Sequence, residues 1–212
     1  AEVEAMLRPY AGQVQIAAIN APKGTVCSGD PLILRRLVQS CDPAVFCRVL
    51  PVDVPFHSAA IEAHLDGFEA ALSALAPRPA RISVISSLHG DLAAATDFDA
   101  AYWRRHVREP VRFEAAVRRA LALGVRRVVE ISPHAVLQAS LTETALDMGL
   151  CIESIGVMSR DTDSAVSLTL ALELIEARPR ATPACEGAQC SAAARELSLV
   201  SPAERRRELG EW

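Results

Sequence analysis

The segment that decides the fold is Val125-Arg-Arg-Val-Val-Glu-Ile-Ser-Pro-His134, together with the residues after it as far as Val157. Val125–Ile131, with Val125, Val128, Val129 and Ile131, reads as a mainly apolar strand of the sort buried on both faces. Ser132-Pro133 then offers a cap and a first-turn proline, predicting a helix to about Met148. Leu150–Val157 is a second apolar run, and Asp163–Ala177 has helical spacing again. Strand, helix, strand, helix with short connections calls for a parallel sheet covered by helices. Upstream, the same alternation reaches back to residue 57. Ser58 to about Leu75 is predicted helical, Ile82–Ser86 a strand, Phe98–Val107 a helix, and Pro110 the start of a helix that stops at Gly124.

Residues 1–56 have a different pattern. Glu2–Tyr10 has helical spacing. Gln13–Asn20 alternates, with Val14, Ile16 and Ala18 on one face, and Gly24–Ser28 is a second short run. Asn20-Ala-Pro-Lys-Gly24 between them has the residues of a hairpin turn. Asp30-Pro31 then caps a helix through Leu32, Leu34, Leu37 and Val38, and Val45–Val54 is predicted to return as a strand. Helix, strand, strand, helix, strand is a split βαβ, ferredoxin-like unit lacking its first strand. From Arg178 onward Pro, Ala, Gly and Cys dominate, as in a linker, until Ser201-Pro-Ala-Glu offers one more helix start.

The 212 residues carry 22 Lys and Arg against 26 Asp and Glu, a net charge of -4, and half are hydrophobic. A core is therefore expected and global disorder is not. Without a concentrated basic face nucleic acid is a poor partner, and no apolar run approaches the ~20 residues of a membrane helix. Of the six cysteines, Cys41 and Cys47 are separated by five residues and Cys185 and Cys190 by four, with no CxxC. That spacing suits neither a metal nor a redox motif. Cys27 and Cys151 lie in apolar stretches as small core residues, and a reducing cytoplasm is the expected setting.

No G-x-S-x-G elbow, phosphate loop or H-E-x-x-H helix is present, so the histidines are the candidates for chemistry. His57 lies between a predicted strand and helix, where an α/β fold presents catalytic groups, although a structural or exposed histidine is the commoner outcome. His64 lies seven residues further on, whereas two helical metal ligands would want i,i+4. His89 is a loop residue, and His106 and His134 fall near element boundaries. Asp30 and Glu130 read as a cap and a strand-end carboxylate. The arginines between 104 and 127 read as a solvated surface.

Four blocks together resemble one family. Ile16-Ala-Ala-Ile-Asn-Ala-Pro-Lys-Gly-Thr-Val-Cys-Ser-Gly29 resembles the Asn-x-Pro hairpin of acyl-CoA:acyl-carrier-protein transacylases, and Pro51-Val-Asp-Val-Pro-Phe-His-Ser58 their catalytic-histidine segment. Ala101-Tyr-Trp-Arg-Arg-His-Val-Arg-Glu-Pro-Val-Arg-Phe113 is similar to their Tyr-Trp…Pro-Val-Arg-Phe block. Glu130-Ile-Ser-Pro-His-Ala-Val-Leu137 is similar to the family's next block, from strand to helix. The order and spacing, over about residues 1–160, are those of the acyltransferase domain of a type I modular polyketide synthase. The implied fold is α/β: part of the parallel-sheet, hydrolase-like acyltransferase core with an incomplete ferredoxin-like subdomain. The expected divisions are 1–56 for the small subdomain, 57–177 for the core and 178–212 for a linker and following helix.

The resemblance implies ping-pong transfer of an acyl group from coenzyme A, through a serine, to the phosphopantetheine thiol of an acyl carrier protein. No bound cofactor and no metal are implied, and the partners would be that carrier, a ketosynthase and other domains of the same synthase. His57 matches the base, and the position of His106, where Asn or Gln is usual, would lend a main-chain carbonyl to orient it. Asn20, Val54 and Phe56 fall on the substrate side. Phe56, where methylmalonyl enzymes carry Ser, favours malonyl-CoA, while Val54 matches neither type. The family's Gly-His-Ser-x-Gly elbow, its Gly-Gln-Gly oxyanion turn and its carboxylate-gripping arginine are not in these 212 residues. The expectation is therefore the C-terminal half of such a domain, inactive by itself; the alternative is a non-catalytic docking or linker fragment of a polyketide or fatty acid synthase.

Overall fold

The computed structural model describes residues 2–94, 96–159 and 163–177. These form two compact units, 2–113 and 114–177. The boundary expected at 56/57 falls inside the first unit, and the expected linker and helix of 178–212 lie outside the described residues.

The first unit opens with α1 (Glu2–Leu7) and a 3-10 turn, followed by β1 (Val14–Ala21) and β2 (Gly24–Gly29), an antiparallel hairpin turning at Pro22-Lys23. The single buried face expected for Val14, Ile16 and Ala18 is not what forms. Register shifts after Ile16 and after Ile19 turn the pleat, and the residues buried are Val14, Ala17 and Ala21. α2 (Pro31–Ser40) begins where Asp30 Oδ1 accepts the Leu32 and Ile33 N–H groups at 2.8 and 3.0 Å. Ile33 and Leu37, one turn apart, then pack with Leu7 and Val14 into a small core.

The strand predicted over Val45–Val54 does not form. Pro51 removes a ladder donor from the middle of it, and the Val52 N–H closes back on the Leu50 carbonyl at 2.9 Å. Among the described residues no strand pairs with this segment, and Val45, Phe46, Val49 and Val52 are all more than half exposed.

A 3-10 turn (Ala59–Ile61) leads into α3 (Glu62–Ala71), shorter than predicted, and β3 (Ile85–Ser86) pairs antiparallel with β4 (Asp91–Leu92). α4 (Ala100–Arg108) is capped by Asp99 Oδ1 on the Tyr102 N–H at 2.8 Å. Arg104 and Arg108, expected as free surface charges, instead reach Asp66 and Glu62 of α3 at 2.6 and 2.7 Å. Exposed pairs of this kind add little to stability. Val111 forms an isolated parallel bridge with Ala18 of β1.

The second unit contains most of α5 (Phe113–Ala122), then β5 (Arg127–Glu130), α6 (Gln138–Asp147), β6 (Glu153–Gly156) and α7 (Ser164–Glu176). β5 and β6 are parallel, as the opening segment predicts, with Arg127 opposite Glu153 and their side chains joined at 2.6 Å. α6 starts five residues later than predicted, because Ser132 does not cap it. The Ser132 hydroxyl donates to Glu130 Oε1 and to the His134 carbonyl. The buried Glu130 carboxylate holds the loop ahead of the helix instead, accepting the Val136 and Leu137 N–H groups at 2.8 and 3.1 Å. Glu130→Gln replaces one acceptor oxygen by a donor facing donors. It is expected to lower unfolding free energy by about 1–3 kcal/mol in urea melts, and an unchanged midpoint would show that these loop bonds contribute nothing.

Cys27 is a half-buried free thiol as expected, whereas Cys151 is engaged in a disulfide. Among the described residues there is no cluster able to hold a metal ion, and no helix is long and apolar enough to cross a membrane.

Candidate active site

His57 is built into the structure from three directions. Its backbone has φ of +59°, a left-handed conformation that few side chains other than glycine adopt. The preceding turn is closed by the buried Ser58, whose hydroxyl donates to the Pro55 carbonyl at 2.7 Å rather than capping the next helix. The His57 N–H donates to the Val107 carbonyl at 2.9 Å, and its ring Nδ1 lies 2.8 Å from the Glu109 carbonyl oxygen.

Both acceptors belong to the end of α4, where the last carbonyls have no partner within the helix. Pro110 cannot continue that helix and forces Glu109 into an extended conformation, with ψ of 157°, which swings the Glu109 carbonyl outward. The carbonyl that faces His57 is therefore that of Glu109, not that of His106 as expected. His106 lies within the last helical turn, whereas Glu109 is the residue the proline turns out of it. The Glu109 side chain is forked by Arg105, at 2.7 and 3.4 Å, and this guanidinium holds the carboxyl below the usual carboxylate range.

A carbonyl oxygen can only accept, so Nδ1 of His57 carries the hydrogen. In the neutral ring Nε2 then holds the free lone pair. The Glu109 carbonyl accepts Nδ1–H in both protonation states, so the ring keeps its orientation while Nε2 gains and loses a proton. That is the arrangement a general base needs.

Of the other residues singled out by sequence, His106 and Phe56 flank His57, with ring centroids 6.1 and 6.4 Å from it. Phe56 and Val54 are nearly half exposed. Asn20 stands near the end of β1 and makes none of the His57 hydrogen bonds. His89 lies 3.5 Å from Asp97, and the side-chain Nδ1 of His134 is buried without a hydrogen-bond partner. Val107 and Glu109 escaped sequence reading. The available sign was Glu109 itself, the residue between a helix end and a proline.

With this geometry in place, comparison with known proteins assigns the class. A family model of the acyl transferase domain matches residues 1–178, and the chain belongs to that family. Polyketide synthase GfsE of Streptomyces halstedii is 39% identical over 144 residues, 68% of this chain and 4% of that protein. Erythronolide synthase EryA3 of Saccharopolyspora erythraea is 37% identical over 159 residues, 74% of this chain and 5% of that protein. The crystal structure of the acyltransferase domain from module 8 of the salinomycin polyketide synthase superposes with a TM-score of 0.77 at 34% identity. That match covers 81% of this chain and 41% of the other, so the chain spans less than half of that solved domain. The fold is the mixed α/β, hydrolase-like acyltransferase fold that the sequence blocks imply.

Proposed function

We propose that the chain supplies the general base of a polyketide synthase acyltransferase, moving an acyl unit from coenzyme A to the phosphopantetheine thiol of an acyl carrier protein. The observation that carries this is the hydrogen bond from Nδ1 of His57 to Glu109, which leaves Nε2 free to take a proton. A serine hydroxyl contributed from outside these 212 residues attacks the acyl thioester carbonyl while Nε2 accepts its proton. The same proton passes to the departing coenzyme A thiolate. In the second half, Nε2 deprotonates the carrier thiol and returns the proton to the serine. No metal or bound cofactor takes part, and acyl-CoA as substrate implies a cytoplasmic setting. Ketosynthase and other domains of the synthase are the expected neighbours.

The chain alone, incubated with radiolabelled malonyl-CoA, is expected to take no stable label, because a base without a nucleophile forms no acyl-enzyme. Joined to a segment bearing the serine, it is expected to label and to pass the label to a carrier protein. Labelling of the isolated chain would overturn the first expectation, and no transfer from the joined protein would favour the docking-fragment alternative.

Phe56 beside the His57 ring supports malonyl as the acyl group, since in this family's site a Phe in place of Ser would fill the space a 2-methyl branch needs. Phe56→Ser in the joined protein is expected to shift the methylmalonyl-to-malonyl ratio roughly 10-fold or more in a competition assay, within the ~1–3 kcal/mol a methyl pocket supplies. An unchanged ratio would remove Phe56 from selectivity.

A further inference from the structure

The side chain of His106 has no part in the transfer just described, yet this imidazole is elaborately held. Its ring stacks on Tyr102 with centroids 5.9 Å apart, meets Trp103 edge-on at 5.5 Å, and presents an edge to His57 at 6.1 Å. Its Nε2 lies 3.1 Å from the Ser87 hydroxyl. Ser87, immediately after β3, is also tied to the chain beyond the proline: its carbonyl accepts the Arg112 N–H at 2.6 Å. Residues 106 and 112 are thus both fastened to Ser87, by side chain and by backbone respectively. Both carbonyls that hold His57, those of Val107 and Glu109, lie between these two fastenings. The Val111 N–H and carbonyl are in turn bonded to Ala17 and Ile19 of β1 at 2.8 and 2.9 Å.

We propose that His106 is a positioning residue for His57, acting through its hydrogen bond to Ser87 to hold the 106–112 segment so that the Glu109 carbonyl selects the Nδ1–H form of the His57 ring. The aim of a carbonyl depends on the backbone angles on either side of it. Releasing one end of the clamp lets the α4 terminus fray, as helix ends do. Burial, and then the neighbouring His57, push the His106 imidazole below the ordinary histidine range. The role rests on the reading of His57 as the base, but its test does not require transfer activity.

The test is the tautomeric state of His57 in the 15N-histidine-labelled 212-residue chain, read by two-bond 1H–15N correlation above the imidazole titration range. The unaltered chain is expected to show His57 as Nδ1–H alone. His106→Phe keeps an aromatic ring on Tyr102 but cannot bond Ser87, and Ser87→Ala removes the same bond from the other side. Each is expected to give a mixture of Nδ1–H and Nε2–H forms, while His106→Gln, which can still reach the hydroxyl, is expected to restore the single form. Because the two disrupting variants alter different elements, misfolding of one leaves the other to decide. A single Nδ1–H tautomer in both His106→Phe and Ser87→Ala would overturn the proposal. Failure of the base assignment would appear instead as transfer surviving the loss of His57, which this spectrum does not measure.

Discussion

His57→Ala, made in the chain joined to its serine-bearing segment, is expected to lower acyl transfer to the carrier by at least ~100-fold, the scale of losing a general base. The structural cost should be far smaller. The substitution removes one side-chain hydrogen bond, to a Glu109 carbonyl that is only partly buried, worth about 1 kcal/mol. The main-chain bond to Val107 and the Ser58–Pro55 lock are made by other atoms and survive. Activity and stability should therefore separate: transfer nearly abolished, the urea midpoint little changed. The measurement is single-turnover transfer of labelled malonyl from coenzyme A to the carrier, with the melt as its control. Near-normal transfer would remove His57 from the mechanism, whatever its geometry.

Gly29→Ala is expected to destabilise the first unit by about 3 kcal/mol, adding a left-handed backbone penalty to an overpacked contact. Gly29 has φ of +148°, and a Cβ there would lie 2.1 Å from the Gln13 carbonyl oxygen and 2.7 Å from the Val14 Cα. These are backbone atoms with nowhere to move. The same Gln13 carbonyl accepts the N–H of Asp30, the residue that caps α2, so relief of the clash would pull on the helix start. Gly12 separates the two contributions. Its φ is +81° and its space is open, so Gly12→Ala should cost only the conformational part, about 1 kcal/mol. Equal losses for the two variants in urea unfolding would show that the hairpin absorbs the clash at Gly29.

The parts of the fold that were legible in advance are those encoded within a few residues. Asn20-Ala-Pro-Lys-Gly24 turns the first hairpin, Asp30-Pro31 starts α2, the helical spacing from Asp163 becomes α7, and β5, α6 and β6 alternate as their apolar runs require. Each depends on a backbone angle, a cap or a side-chain period that the chain carries locally. The errors share a cause as well. Val45–Val54 has the composition of a strand, but a strand exists only with a partner to bond, and none of the described residues supplies one. Ser132-Pro133 has the composition of a cap, yet the Ser132 hydroxyl is turned to the Glu130 carboxylate and the His134 carbonyl, and the helix starts only at Gln138.

The candidate site divides in the same way. By itself the sequence determined the family, through four spaced blocks, and pointed to His57 at a junction between elements. Only the tertiary structure decided which oxygen orients that histidine. His57 and Glu109 are 52 positions apart, and the aim of the Glu109 carbonyl depends on where α4 ends against the loop that carries His57. Residue identity specifies what a side chain can donate or accept. Which backbone carbonyl it meets is settled by packing, because every residue offers the same carbonyl and only position distinguishes them.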